Sequence, residues 1–137
     1  MRLQSRQKIT IMNVRTILSA LFILLMSATA MAQTKTADFK GSWSSEGDVS
    51  AKGWLDLEIN QKGITFTGTA SYKNYENNNQ SGVCAISGKI TGNKGAFTIV
   101  LNSRIMAKGT MTIDGNTIKF TSNTGTSFPR LAYAYRR

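Results

Sequence analysis

Beyond residue 32 the chain alternates apolar and polar residues with period two, and no window sustains the 3.6-residue spacing of an amphipathic helix. Glycine and asparagine cut the runs, so they read as short β-strands joined by turns. The pattern predicts strands at Phe39–Ser44, Trp54–Asn60, Ile64–Tyr72, Val83–Ile90, Ala96–Asn102, Met106–Ile113, Thr117–Ser122 and Arg130–Tyr135. A short stretch at Val49–Lys52 either continues the first strand or opens the second. Asn60-Gln61-Lys62-Gly63 predicts a turn with a bulge, its glycine supplying positive φ, and Thr91–Gly95 and Asp114-Gly115-Asn116 give similar signals. A strand opened by glycine, a Gly/Asn turn and a strand with a central Phe recur at Gly88–Phe97 and Gly109–Phe120.

Consecutive hairpins make an all-β, antiparallel up-and-down meander, and about eight strands suffice to close it into a small barrel without a free edge. The expected inner face carries Leu55, Leu57 and Ile59; Ile64, Phe66, Ala70 and Tyr72; Cys84, Ile86 and Ile90; Phe97, Ile99 and Leu101; Met111 and Ile113; Ile118 and Phe120; Leu131, Tyr133 and Tyr135. The outer face carries Asp56, Glu58, Thr65, Thr67, Thr69, Ser87, Lys89, Lys119 and Thr121, which argues against a lipid-facing apolar band. Eight strands enclose room for side chains or for one small ligand, and the pattern leaves both open.

The N-terminus follows different rules. Arg2, Arg6, Lys8 and Arg15 precede an apolar run, Ile17–Met26, and then Ala30-Met31-Ala32. A basic start, an apolar stretch too short to span a bilayer and an A-x-A site predict a helical Sec-type signal peptide over residues 1–32, cut after Ala32. Met12 to Ala32 holds every part of such a signal, so Met12 is a candidate start. The expected product is a periplasmic or secreted bacterial protein, one domain over residues 33–137 with no transmembrane segment.

Composition then narrows the chemistry. Four of the 17 basic residues leave with the signal, so the formal +10 becomes +6, scattered along the strands. No basic strip interleaved with aromatics stands out, which argues against nucleic acid as a partner. With no His there is no imidazole base, His-dependent triad or imidazole metal site. The one cysteine, Cys84, cannot form an internal disulfide or a cysteine zinc cluster, and it alternates onto the apolar face as a buried, inert thiol. No metal site and no cofactor are expected.

Phe39-Lys40-Gly41-Ser42-Trp43 places Gly-x-Trp on the first strand of this meander, which resembles the calycin superfamily of lipocalins, avidins and bacterial metalloprotease inhibitors. The resemblance implies that Trp43 closes one barrel end under a basic residue of the last strand, Arg130 with Arg136 and Arg137 as the other candidates. The chain departs from each subgroup. It lacks the C-terminal helix of lipocalins, the later-strand tryptophans of avidins and the disulfide of the inhibitors, though it shares the inhibitors' length, polar tail and basic C-terminus.

Asp56 and Glu58 lie two apart on one strand, about 6–7 Å apart by strand rise, and read as an exposed strand face rather than a catalytic pair. Trp54 shares that outward face and is a candidate stacking platform. The longest connection, Tyr72–Ser81, is polar with two tyrosines, so Tyr72, Tyr75, Asn77 and Asn78 are the candidate ligand-binding residues at the barrel mouth. These features point to a non-enzymatic binding barrel taking a small molecule or glycan. The alternative is a protein-interaction module, such as a periplasmic protease inhibitor, whose tail Gln33–Lys40 enters a partner's cleft.

Overall fold

In the computed structural model, which describes residues 35–48 and 50–137, the chain builds eight strands and no helix. The expected signal peptide, its cleavage point and the alternative start at Met12 lie outside the described residues. The strands are β1 (Gly41–Ser44), β2 (Gly53–Lys62), β3 (Thr65–Asn74), β4 (Cys84–Thr91), β5 (Lys94–Leu101), β6 (Arg104–Asp114), β7 (Thr117–Thr124) and β8 (Leu131–Arg136). Each pairs antiparallel with its neighbour in the chain, and β8 returns to β1, closing the barrel expected from the alternation.

Four of the connections are two-residue turns. Gly63-Ile64, Gly92-Asn93 and Gly115-Asn116 each put glycine first with φ near +60°, and Asn102-Ser103 has both residues at positive φ as a type I′ turn requires. The predicted turn at Asn60–Gly63 is therefore displaced. Gly63 supplies the positive φ at the first turn position, so Gln61 and Lys62 stay in β2, paired with Phe66 and Thr65, and Ile64 becomes an exposed turn residue rather than a core one. Ser50–Lys52 turns and bends instead of forming the short strand expected there.

The interior is filled. One ring of register partners runs Phe66, Gly88, Phe97, Gly109, Ser122, alternating large and small residues around the barrel. A Cβ at Gly88 would run into the Ala96 carbonyl and the Phe66 ring; one at Gly109 would meet the Thr121 carbonyl and the Phe97 ring. The two glycines let the phenyl rings lie over the neighbouring strand. Phe97 stacks on Phe120 at 4.6 Å between centroids, and Met111, Ile99 and Ile86 are almost wholly removed from solvent beside them.

Strand β8 reverses the expected face. Leu131, Tyr133 and Tyr135 point outward and are 53%, 40% and 41% exposed, while Ala132 and Ala134 point inward. The register supplies the reason. Residues opposite each other in a ladder share a face, and Ala132 and Ala134 sit opposite the buried Phe120 and Ile118. Phe120 and Ile118 fill the interior opposite them, so the small residues of β8 take the inner face.

One barrel end is closed by the chain preceding β1. Phe39, expected to open the first strand, belongs instead to a strap that crosses the base of the barrel. Ala37 N–H donates to the Gly92 carbonyl at 2.9 Å. Gln61 fastens the strap from β2: its Oε1 accepts from Phe39 N–H at 2.8 Å and its Nε2 donates to the Ala37 carbonyl at 3.0 Å. Phe39 is thereby fully buried, its ring 6.4 Å from that of Phe66.

Candidate functional site

The opposite end carries the longer loops: 45–52 between β1 and β2, 75–83 between β3 and β4, and 125–130 between β7 and β8. A cavity of about 440 Å³ lies there, within the range of small-ligand sites. One wall is formed by Asp48 and Ser50 to Gly53, the other by Thr126 and Phe128 to Tyr133, and Tyr72 and Asn74 complete it from β3. Phe128 contributes to its apolar lining, with its ring 6.4 Å from Tyr72 and 6.3 Å from Phe120, so the cavity rests on the barrel's aromatic core.

Tyr72 is the one candidate ligand-binding residue that lines this cavity directly, and Arg130, expected over Trp43, lines it as well. The Tyr72 backbone is fixed by Ser81, whose N–H donates to the Tyr72 carbonyl at 2.9 Å and whose Oγ accepts from Tyr72 N–H at 2.9 Å. The residue is 9% exposed, and its hydroxyl lies against Gly53, where any Cβ would collide with it. Among the described residues no protein group hydrogen-bonds that hydroxyl. Burial, with the charge of Glu76 and the neighbouring Tyr75 adding to it, pushes the phenol's pKa upward, so it stays a neutral donor.

The polar lining is unevenly satisfied. The Asp48 carboxylate accepts from Ser50 Oγ at 2.6 Å and Ser50 N–H at 3.0 Å, which holds its pKa below the usual carboxylate value against a small opposing effect of burial. Lys52 and Arg130, one on each wall, make no ion pair among the described residues.

Other predicted residues are placed differently. Tyr75 is 54% exposed and ties its loop to the neighbouring one through its backbone N–H to the Lys52 carbonyl at 3.0 Å, away from the cavity lining. Asn77 Oδ1 accepts from Asn79 N–H at 3.0 Å, and Asn78 adopts φ 57°, so these two exposed asparagines shape their own loop rather than line the cavity. Trp54 is on the outer face as expected, but its Nε1 donates to Ser44 Oγ at 3.1 Å and Asp56 Oδ1 at 3.0 Å, leaving the ring half-buried beside a shallower depression of about 310 Å³. Asp56 and Glu58 have separate partners: Arg137 reaches Asp56 at 3.4 Å, and Ser42 Oγ donates to Glu58 at 2.6 Å. No cluster of three metal-ligating side chains occurs among the described residues. Cys84 is buried and free, its thiol pKa raised by burial against a weaker contact with Ser81.

The barrel-end assignment needs correction at one residue. Trp43 is 1% exposed at the closed end and donates from Nε1 to the Phe39 carbonyl at 2.9 Å. The guanidinium above its ring is that of Arg136, 4.2 Å from the centroid, because Arg136 is the register partner of Trp43 across the β1–β8 seam. Arg130 precedes β8 at the other end of the barrel and cannot reach it.

Comparison with protein-family models, curated proteins and solved structures finds no match to this chain. The site therefore rests on its own geometry. Sequence reasoning missed Phe128, Lys52 and Asn74 as parts of it. The signal available was an isolated Phe in an otherwise polar loop, Thr126-Ser127-Phe128-Pro129, where an apolar ring has to be buried by something across the barrel mouth.

Proposed function

We propose that this chain is an exported, non-enzymatic binding barrel of calycin-like type, taking a small ligand in the cavity at its open end. The observation that carries the reading is Tyr72, a residue only 9% exposed that lines a cavity of about 440 Å³ and whose hydroxyl has no protein partner among the described residues. That hydroxyl keeps contact with solvent, so a ligand's polar group can take the place of water on it. The filled interior leaves the mouth as the place for a ligand. Gly41-Ser42-Trp43 under Arg136 supports the calycin-like assignment.

The inhibitor reading needs the tail up to Lys40 to be free for insertion. Ala37 and Phe39 instead hold the closed end, and Arg136 binds the carbonyls of Asp38 and Lys40. No observation favours that alternative.

An NMR-monitored screen of a soluble fragment set tests the proposal. Binding should shift resonances of Tyr72, Asn74 and Phe128 together, and Tyr72→Phe should weaken fragments with a hydrogen-bonding group about three- to tenfold while sparing apolar ones. Shifts confined to other surfaces would overturn it.

A further inference from the structure

The cavity also borders a strand edge that no described residue pairs with. β1 is four residues long, and its pairing with β8 ends at Ser44 opposite Tyr135. Ser45 turns to β2 instead, donating its N–H to the Leu55 carbonyl at 2.9 Å and accepting from Leu55 N–H through Oγ at 2.7 Å. On β8, the Arg130 carbonyl accepts from Ser122 N–H and the Arg136 N–H donates to the Asn116 carbonyl. Even-numbered positions thus bond to β7, and the alternation of an antiparallel ladder turns the N–H and C=O of Leu131 and Tyr133 toward the seam. Among the described residues nothing pairs with those four groups, and both residues line the cavity.

The charges beside this edge are complementary to one kind of end group. Lys52 and Arg130 stand on the two walls without ion-pair partners among the described residues, and the cavity's carboxylate, Asp48, is engaged by Ser50. β1 runs toward the Arg130 end of β8. A segment that took up the course β1 abandons would therefore run antiparallel to β8 and finish at Arg130. The length from Leu131 to Ala134 accommodates about three residues at ~3.4 Å each.

Granting that the open-end cavity is the ligand site, we infer that its ligand is a short extended peptide with a free C-terminal carboxylate, which adds to the β8 edge at Leu131 and Tyr133. Main-chain hydrogen bonds hold it, as in other strand additions. Its carboxylate lies between Lys52 and Arg130, and an inward side chain rests on Phe128 and Ala132.

The test titrates the purified protein with acetyl-Ala-Leu-Ala as the free acid, as its C-terminal amide, and as analogues N-methylated at each residue in turn, following amide resonances by NMR. The free acid should shift Leu131 and Tyr133 most. The amide should bind at least tenfold more weakly, and N-methylation should cost at least tenfold at alternate positions only. Lys52→Gln and Arg130→Gln should bring the free acid down to the affinity of the amide while leaving the amide unchanged. If all N-methylated forms bind like the parent, or if butyrate reproduces the same shifts at equal affinity, strand addition is refuted and the cavity reading stands. Fragments binding at Tyr72 and Phe128 while no peptide binds likewise refute strand addition alone. If neither fragments nor peptides bind at the cavity, both fail.

Discussion

Arg136 lays its guanidinium 4.2 Å from the ring centre of Trp43, its partner across the seam that closes the barrel. The same guanidinium donates to the Lys40 carbonyl at 2.6 Å and the Asp38 carbonyl at 3.2 Å. One side chain thus joins the last strand, the first strand and the strap below them. Gly41 makes room for it, since a Cβ there would sit 3.2 Å from Arg136 Nη1. Replacing Arg136 by Ala should destabilise the protein by about 1–2 kcal/mol, from a partly exposed cation–π contact and two charge-assisted hydrogen bonds. Arg130→Ala should change stability by less than about 0.5 kcal/mol, as a surface substitution away from packing does. Urea unfolding followed by tryptophan fluorescence measures both, and equal losses in the two variants would contradict the assignment.

The strap depends on one ring. Phe39 is fully buried against Phe66, and Gln61 holds the backbone on both sides of it. Phe39→Ala should cost about 3–5 kcal/mol, the usual range for removing a buried phenyl ring. Gln61→Ala should cost about 1–2 kcal/mol, because it orphans the Phe39 N–H and the Ala37 carbonyl next to solvent. Amide exchange of the Ala37 N–H, bonded to the Gly92 carbonyl, should quicken in both variants before that of any strand. Unchanged exchange there would mean that the strap does not rely on these contacts.

Much of this barrel is legible in the chain, and the failures share a cause. Strands β2 to β7 follow from alternation because each has one apolar face, and Gly-Asn pairs mark two of their turns. Alternation ranks faces by hydrophobicity, however, and takes no account of available volume. In β8 both faces are apolar, so the pattern puts the larger residues inside, whereas Ala132 and Ala134 take the inner face opposite the bulky Phe120 and Ile118. The site is half legible for a similar reason. Loop composition points to Tyr72–Ser81, but a cavity between loops is made by residues brought together from three connections, and Phe128, Lys52 and Tyr72 are far apart in the chain. Arg136 rather than Arg130 follows from register, which spacing within one strand does not disclose.

Two acids whose pKa burial raises make stability fall at alkaline pH. Burial raises the pKa of the Cys84 thiol above 9.0 and, with Glu76 and Tyr75, that of the Tyr72 phenol above 10.0. Both groups lose their protons more readily in the unfolded chain, so the stability they confer is complete below the unfolded values and is lost as pH rises through the folded ones. The urea midpoint should therefore hold steady up to about pH 9.0, the ordinary thiol value, and fall above it. Cys84→Ala should flatten the first part of that fall and Tyr72→Phe the later part. A midpoint that rises between pH 9.0 and pH 10.0 in the parent protein would reverse the sign and refute the account.

The reversed face of β8 gives the most direct test of how the barrel is packed. Ala134 is fully buried opposite Ile118, whereas Tyr133 and Tyr135 lie outside, opposite Lys119 and Thr117. Ala134→Leu inserts methyl groups into a filled interior and should cost about 1–3 kcal/mol. Tyr133→Thr and Tyr135→Thr keep strand propensity and remove only partly exposed rings, so each should stay within about 1 kcal/mol of the parent. Had the tyrosines pointed inward, the order would invert: truncating either would open a cavity worth about 3–5 kcal/mol, and leucine at position 134 would be harmless on the surface. Equilibrium unfolding of these three variants separates the two arrangements by more than their combined error. The outcome also bears on the peptide edge, because Tyr133 can present its backbone to the seam and its ring to solvent only in the arrangement described here.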